Sequence, residues 1–117
     1  MSKSIIKDKS YNFALRIIKL AKSLKNEKEY ELSSQILRSG TSIGANVEEA
    51  IGGQSRKDFI AKMFISLKEA RETNYWLRLL RDSEIISVKK ITPLIIESEE
   101  IIKILFKIAS SKEKPDN

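Results

Sequence analysis

Leu37-Arg38-Ser39-Gly40-Thr41-Ser42-Ile43-Gly44-Ala45-Asn46-Val47-Glu48-Glu49-Ala50-Ile51-Gly52 reads as the second half of a helix, although it is poor in strong helix formers. Two glycines inside a helix each cost about 1 kcal/mol relative to alanine. Something must offset that cost. On a wheel of about 3.6 residues per turn, the stretch and the turn before it divide into three stripes. Leu32, Ile36, Ile43, Val47 and Ala50 form an apolar stripe. Gln35, Ser39, Ser42, Asn46 and Glu49 form a polar stripe beside it. Ser33, Gly40 and Gly44 lie on a third line with almost no side chain. Such a helix can bury more than one face. The small line admits a second backbone, and the polar stripe can satisfy hydrogen bonds in a confined place. The plainer alternative is a polar stripe that faces water.

Outward from this stretch the chain reads as helix throughout. A first helix is expected over about residues 8–25, where Ala14, Ile17, Ala21 and Leu24 recur at helical spacing and Phe13 and Leu20 widen the face. The second covers about 30–51 and is expected to end on Gly52-Gly53, since glycine readily turns left-handed past a helix. Ser55 reads as the N-cap of a third helix over about 56–81, with the Asp58 carboxylate near its positive end. That helix has two apolar faces. Phe59, Ile60, Met63, Leu67, Ala70 and Leu77 make one, with Asn74 inside it; Ile65, Trp76, Leu79 and Leu80 lie roughly opposite. A monomeric bundle needs one apolar face per helix. The second face, with Trp76 beside Glu69 and Glu72, is therefore expected to be a subunit contact. The alternative is an exposed tryptophan on a crowded surface. Residues 82–91 read as the longest loop, and Thr92-Pro93 as the N-cap and first position of a fourth helix. Leu94, Ile101, Ile102, Leu105 and Ile108 line its inner side. Residues 110–117 make a polar tail, expected to be disordered. No segment has strand periodicity. The expectation is one domain over 1–117, ordered over about 8–109: an all-α, antiparallel up-down-up-down four-helix bundle.

Composition removes several function classes. The chain has no cysteine and no histidine, which excludes disulfides, thiolate metal sites, Ser-His-Asp hydrolysis and Glu-x-x-His di-iron chemistry. No cofactor is expected. No apolar run approaches the ~20 residues of a membrane span. The first residues are too soon charged for a signal peptide, and a cytoplasmic protein is expected. Residues 1–28 hold eight Lys and Arg against Asp8 and Glu27, so the whole net charge of +6 lies there. The remainder holds 14 of each sign. Arg16, Lys19 and Lys22, with Lys25 assisting, form a basic stripe that suggests a polyanionic partner, RNA or DNA. A solvated helix face is the bland alternative.

Residues 37–50 resemble the signature of the 23S rRNA intervening-sequence protein family, also called four helix bundle proteins. The resemblance continues through Ser55-Arg56-Lys57-Asp58-Phe59, Lys62-Met63 and Leu67-Lys68-Glu69-Ala70-Arg71-Glu72-Thr73-Asn74-Tyr75-Trp76-Leu77, and covers residues 11–106. It implies a bundle that assembles as a homopentamer around a central channel. A related branch, the accessory protein of diversity-generating retroelements, implies a basic pentamer that binds nucleic acid and reverse transcriptase. Most members have no established role. The resemblance sets Arg38, Ser42, Asn46 and Glu49 at signature positions of helix two, and Phe59, Glu69 and Glu72 at those of helix three.

The leading expectation is a non-enzymatic homo-oligomer that binds nucleic acid weakly with respect to sequence. Gln35, Ser42, Asn46, Glu49 and Trp76 would form its interface or channel lining, and Arg38 would pair with Glu69 or Glu72. An alternative is a magnesium-dependent nucleotide pyrophosphohydrolase using Glu48-Glu49 and Glu69-x-x-Glu72, although Gly52 stands where a further carboxylate would be wanted. A protein-binding adaptor without nucleic-acid affinity is a third. Tyr11 and Phe13 adjoin the basic stripe, where aromatics are more often core than stacking platforms.

Overall fold

The computed structural model describes residues 2–111, with burial given from residue 5. Four helices account for nearly all of it: α1 (Ser2–Asn26), α2 (Tyr30–Ile51), α3 (Arg56–Asp82) and α4 (Val88–Ala109). There is no strand among the described residues. The disorder expected of the tail falls mostly on 112–117, outside them. Each helix packs on its neighbours in sequence, and α1 and α4 close the ring with the thinnest contact.

α1 begins earlier than expected because Ile6, fully buried, extends the core by more than a turn. The intervening Ser10 hid this, since it is polar yet fully buried. It is buried because Gly44 of α2 lies against it: a Cβ on Gly44 would meet Ser10 Oγ at 3.3 Å and its carbonyl carbon at 3.5 Å. Gly40 is tighter still, with a would-be Cβ only 2.6 Å from Ile17 Cγ2. Ser33, on the same line, donates its hydroxyl to the Ala21 carbonyl at 2.7 Å. The small line of α2 thus lies directly on α1, as its sequence implied.

The connections differ from expectation. No glycine has positive φ, and Gly52, at φ −82°, ends α2 without turning left-handed. Lys28 (φ 66°) and Glu84 (φ 64°) are the left-handed residues. They close α1 and α3 with paired bonds, Glu29 N–H to Leu24 and Lys28 N–H to Lys25, then Ile85 N–H to Leu80 and Glu84 N–H to Arg81. This is the Schellman pattern, built without glycine. Ser55 caps α3 as expected, accepting from the Asp58 N–H at 3.0 Å. α4 starts a turn before Thr92-Pro93, capped by Ser87 through the Lys90 N–H. Thr92 Oγ1 instead donates back to the Val88 carbonyl at 2.6 Å. Pro93 lies inside the helix on its exposed side and, lacking an N–H, cannot bond back to the carbonyl of Lys89, itself an exposed residue.

The core takes Ile6, Phe13, Ile17 and Leu24 from α1, Ile36, Ile43 and Val47 from α2, Met63 and Leu77 from α3, and Ile91, Ile101 and Leu105 from α4. Leu80, assigned from sequence to the outer face of α3, is 1% exposed and belongs here.

Candidate functional site

Two surfaces carry the residues singled out above: the outer side of α1 and the seam between α2 and α3. On α1, the flank toward α4 is neutralised. Lys9 Nζ lies 2.8 Å from Glu100, and Arg16 grips both oxygens of Glu97, with Nε donating at 2.9 Å. The Lys9 ammonium holds the Glu100 carboxyl below the usual carboxylate range. On the other flank Lys7 reaches Glu48 at 3.9 Å. Lys19, Lys22 and Lys25 are exposed and make no ion pair among the described residues. The four-residue stripe expected from sequence is therefore split, with Arg16 held by α4 and three lysines facing water.

The seam is more ordered than its sequence suggested. Ser39 leaves the expected polar stripe for the core, where its hydroxyl and that of Thr73 hydrogen-bond each other at 2.9 Å. Ser66 donates across to the Ile43 carbonyl at 2.8 Å. Ser42 and Asn46 bond to carbonyls of their own helix, those of Arg38 (2.6 Å) and Ser42 (2.8 Å). Glu49 pairs with Lys62 at 2.9 Å and raises its pKa. Gln35 is exposed and has no hydrogen bond among the described residues.

Arg38 crosses to α3 and spans two carboxylates, Glu69 through Nη1 (3.2 Å) and Glu72 through Nη2. The pairing expected from sequence thus forms within one chain. An i, i+3 spacing puts both glutamates on one helix face, where a guanidinium fork can meet them together. Glu72 also accepts the Trp76 indole N–H at 3.0 Å. Trp76 is half-buried and packs edge-on to Tyr75, ring centroids 5.3 Å apart. Phe64 (45% exposed), Ile65 (40%), Tyr75 and Leu79 (39%) are the large apolar side chains that the outer side of α3 leaves open.

Sequence reasoning noticed Asn74 inside an apolar face and not its purpose. Its Nδ2 donates to Ser98 of α4 at 2.9 Å, and its Oδ1 accepts from Arg78 Nε at 2.8 Å. Ser66 and Ser98 carried no signal. Among the described residues, no three His, Cys, Asp or Glu gather in a way that could hold a metal.

The model of the 23S rRNA-intervening sequence protein family matches residues 2–107. This chain belongs to that family. The match runs from the start of α1 into the last turn of α4, so both surfaces lie inside it. The chain is 50% identical to a Bacteroides thetaiotaomicron protein of unknown function from the S23 ribosomal protein family, known by its crystal structure. The two superpose with a TM-score of 0.90 over 95% of this chain and 100% of the other. No curated protein matches. No helix among the described residues is long and apolar enough to cross a membrane.

Proposed function

We propose that this protein is a non-enzymatic, cytoplasmic homo-oligomer that binds nucleic acid through α1, as a scaffold or accessory factor. The reading takes the four helices in an antiparallel up-down-up-down course. Rising numbers on one helix meeting falling numbers on the next support that course, as Ser33, Gly40 and Gly44 meet Ala21, Ile17 and Ser10. The observation that carries the function is the divided charge of α1. Its flanks are matched by Glu97, Glu100 and Glu48, while Lys19, Lys22 and Lys25 face water unopposed. Lysines in this state neutralise phosphates and release counterions, so affinity falls as salt rises. The non-enzymatic reading is supported by Glu48, Glu49, Glu69 and Glu72, each of which meets a cation of its own chain.

Fluorescence anisotropy with labelled RNA and DNA oligonucleotides tests this. Reversing Lys19, Lys22 and Lys25 to glutamate is expected to weaken binding more than tenfold and to flatten the log–log salt slope by about 2. Equal binding by the reversed protein and wild type would overturn the site.

Ile65, Tyr75 and Leu79 support the oligomer, since apolar side chains on a helix face away from the core are suited to a subunit contact. Five copies rest on the family resemblance. Light scattering coupled to size exclusion is expected to give about five times the chain mass of 13.4 kDa, falling toward one on Ile65→Lys with Leu79→Lys. A wild-type monomer at micromolar concentration would sink the oligomer.

A further inference from the structure

The outer line of α1 is not uniformly polar. Tyr11, Leu15, Ile18 and Lys22 recur at i, i+4, i+7 and i+11, which is one stripe of a helix. Tyr11 is 61% exposed and Leu15 48%. Lys19 and Lys25 flank the stripe on opposite sides by the same wheel. Just past the end of α1, Tyr30 opens α2 and is 58% exposed. Neither tyrosine makes a hydrogen bond or ring contact among the described residues. Phe13, two residues from Tyr11, is fully buried, so the core claims its aromatic and leaves these two outside. Given the register of α2 on α1, the two rings stand about 20 Å apart along the bundle, with the three lysines between them or beside them. Asp8 lies at one end of the face, and Glu27, Glu29 and Glu31 lie at the end that carries Tyr30.

We infer that this face is a surface for single-stranded nucleic acid, on which Tyr11 and Tyr30 stack bases while Lys19, Lys22 and Lys25 hold the backbone. The inference rests on the nucleic-acid reading above and narrows it. In a duplex the base faces are hidden in the stack, and a protruding ring has nothing to cover. In a single strand every base offers a π-face, and aromatic rings interleaved with cations are the recurring way to hold one. Lysines alone would treat both forms as polyanions.

The test uses the full chain and three probes of matched length: oligo(U), oligo(dT) and a mixed-sequence duplex. Both single strands are expected to bind at least tenfold tighter than the duplex at equal salt. Tyr11→Ala and Tyr30→Ala are each expected to weaken single-strand binding about tenfold while leaving the salt slope unchanged. Tyr11→Phe and Tyr30→Phe keep the ring and are expected to bind as wild type. Thermal unfolding followed by circular dichroism checks that each variant folds. If the alanine variants bind as wild type while lysine reversal weakens binding, the stacking surface is overturned and the nucleic-acid reading stands. If wild type binds none of the three probes, that reading fails and this inference with it. A preference between oligo(U) and oligo(dT) identifies the strand as RNA or DNA.

Discussion

Replacing Phe13 with alanine is expected to destabilise the bundle by about 3–5 kcal/mol. The ring has no exposed surface and belongs to the single core cluster of the four helices. Removing it forfeits the transfer of a large apolar group and leaves a cavity that packed neighbours only partly fill. For a domain of this size, total stability is about 5–15 kcal/mol, so the loss takes roughly a fifth or more of it. Urea unfolding followed at the helical circular-dichroism band should show a much lower midpoint with an unchanged slope. A change below about 1 kcal/mol would mean that Phe13 is not a core residue. Tyr11→Ala, two positions away and on the opposite side of α1, provides the contrast. It should leave the midpoint almost where it was, because a half-exposed ring has little burial to lose.

Gly40→Leu should cost about 2–3 kcal/mol even after the gain from removing a helical glycine. The first added carbon already collides with Ile17, whose β-branched side chain is fully buried and has no free rotamer to retreat to. α1 must therefore back away from α2. Gly44 gives a graded version of the same experiment. A methyl group there meets Ser10 at 3.3 Å or more, which small shifts accommodate. Gly44→Ala is expected to be neutral or slightly stabilising, whereas Gly44→Leu drives into the α1 backbone and costs about 1–3 kcal/mol. Equal effects of alanine at positions 40 and 44 on the denaturation midpoint would contradict this packing.

The glycine line shows what a sequence can disclose. Gly40 and Gly44 carry a visible propensity cost, and only a close neighbour accounts for it. The helix count followed from apolar periodicity in the same way, and the Arg38 pairing from the affinity of a guanidinium for carboxylates at positions the family resemblance marks. Other features left no such trace. Ser10, Ser66 and Ser98 are buried because a glycine, a backbone carbonyl and an asparagine amide on neighbouring helices accommodate them, and a single strand of text does not show what lies opposite. Thr92-Pro93 matches a helix start so well that it masked the real one at Ser87, although Val88, Ile91 and Ile95 follow that serine at helical spacing. The basic stripe was legible as composition. Its division was not, because Glu97 and Glu100 lie some 80 to 90 residues away along the chain from the cations they neutralise.

Trp76 is the only tryptophan in the chain, and its indole N–H rests on a carboxylate that Arg38 also holds. Its fluorescence is therefore a built-in reporter on one side of the molecule. α1 packs on α2 and α4, and not on α3, among the described residues. A polyanion that settles on α1 should leave the emission spectrum of the unlabelled protein unchanged. A second copy that settles on α3, beside Tyr75 and Leu79, should exclude water from the indole and shift its emission to the blue. One cuvette can thus tell the two surfaces apart, with no dye attached to either.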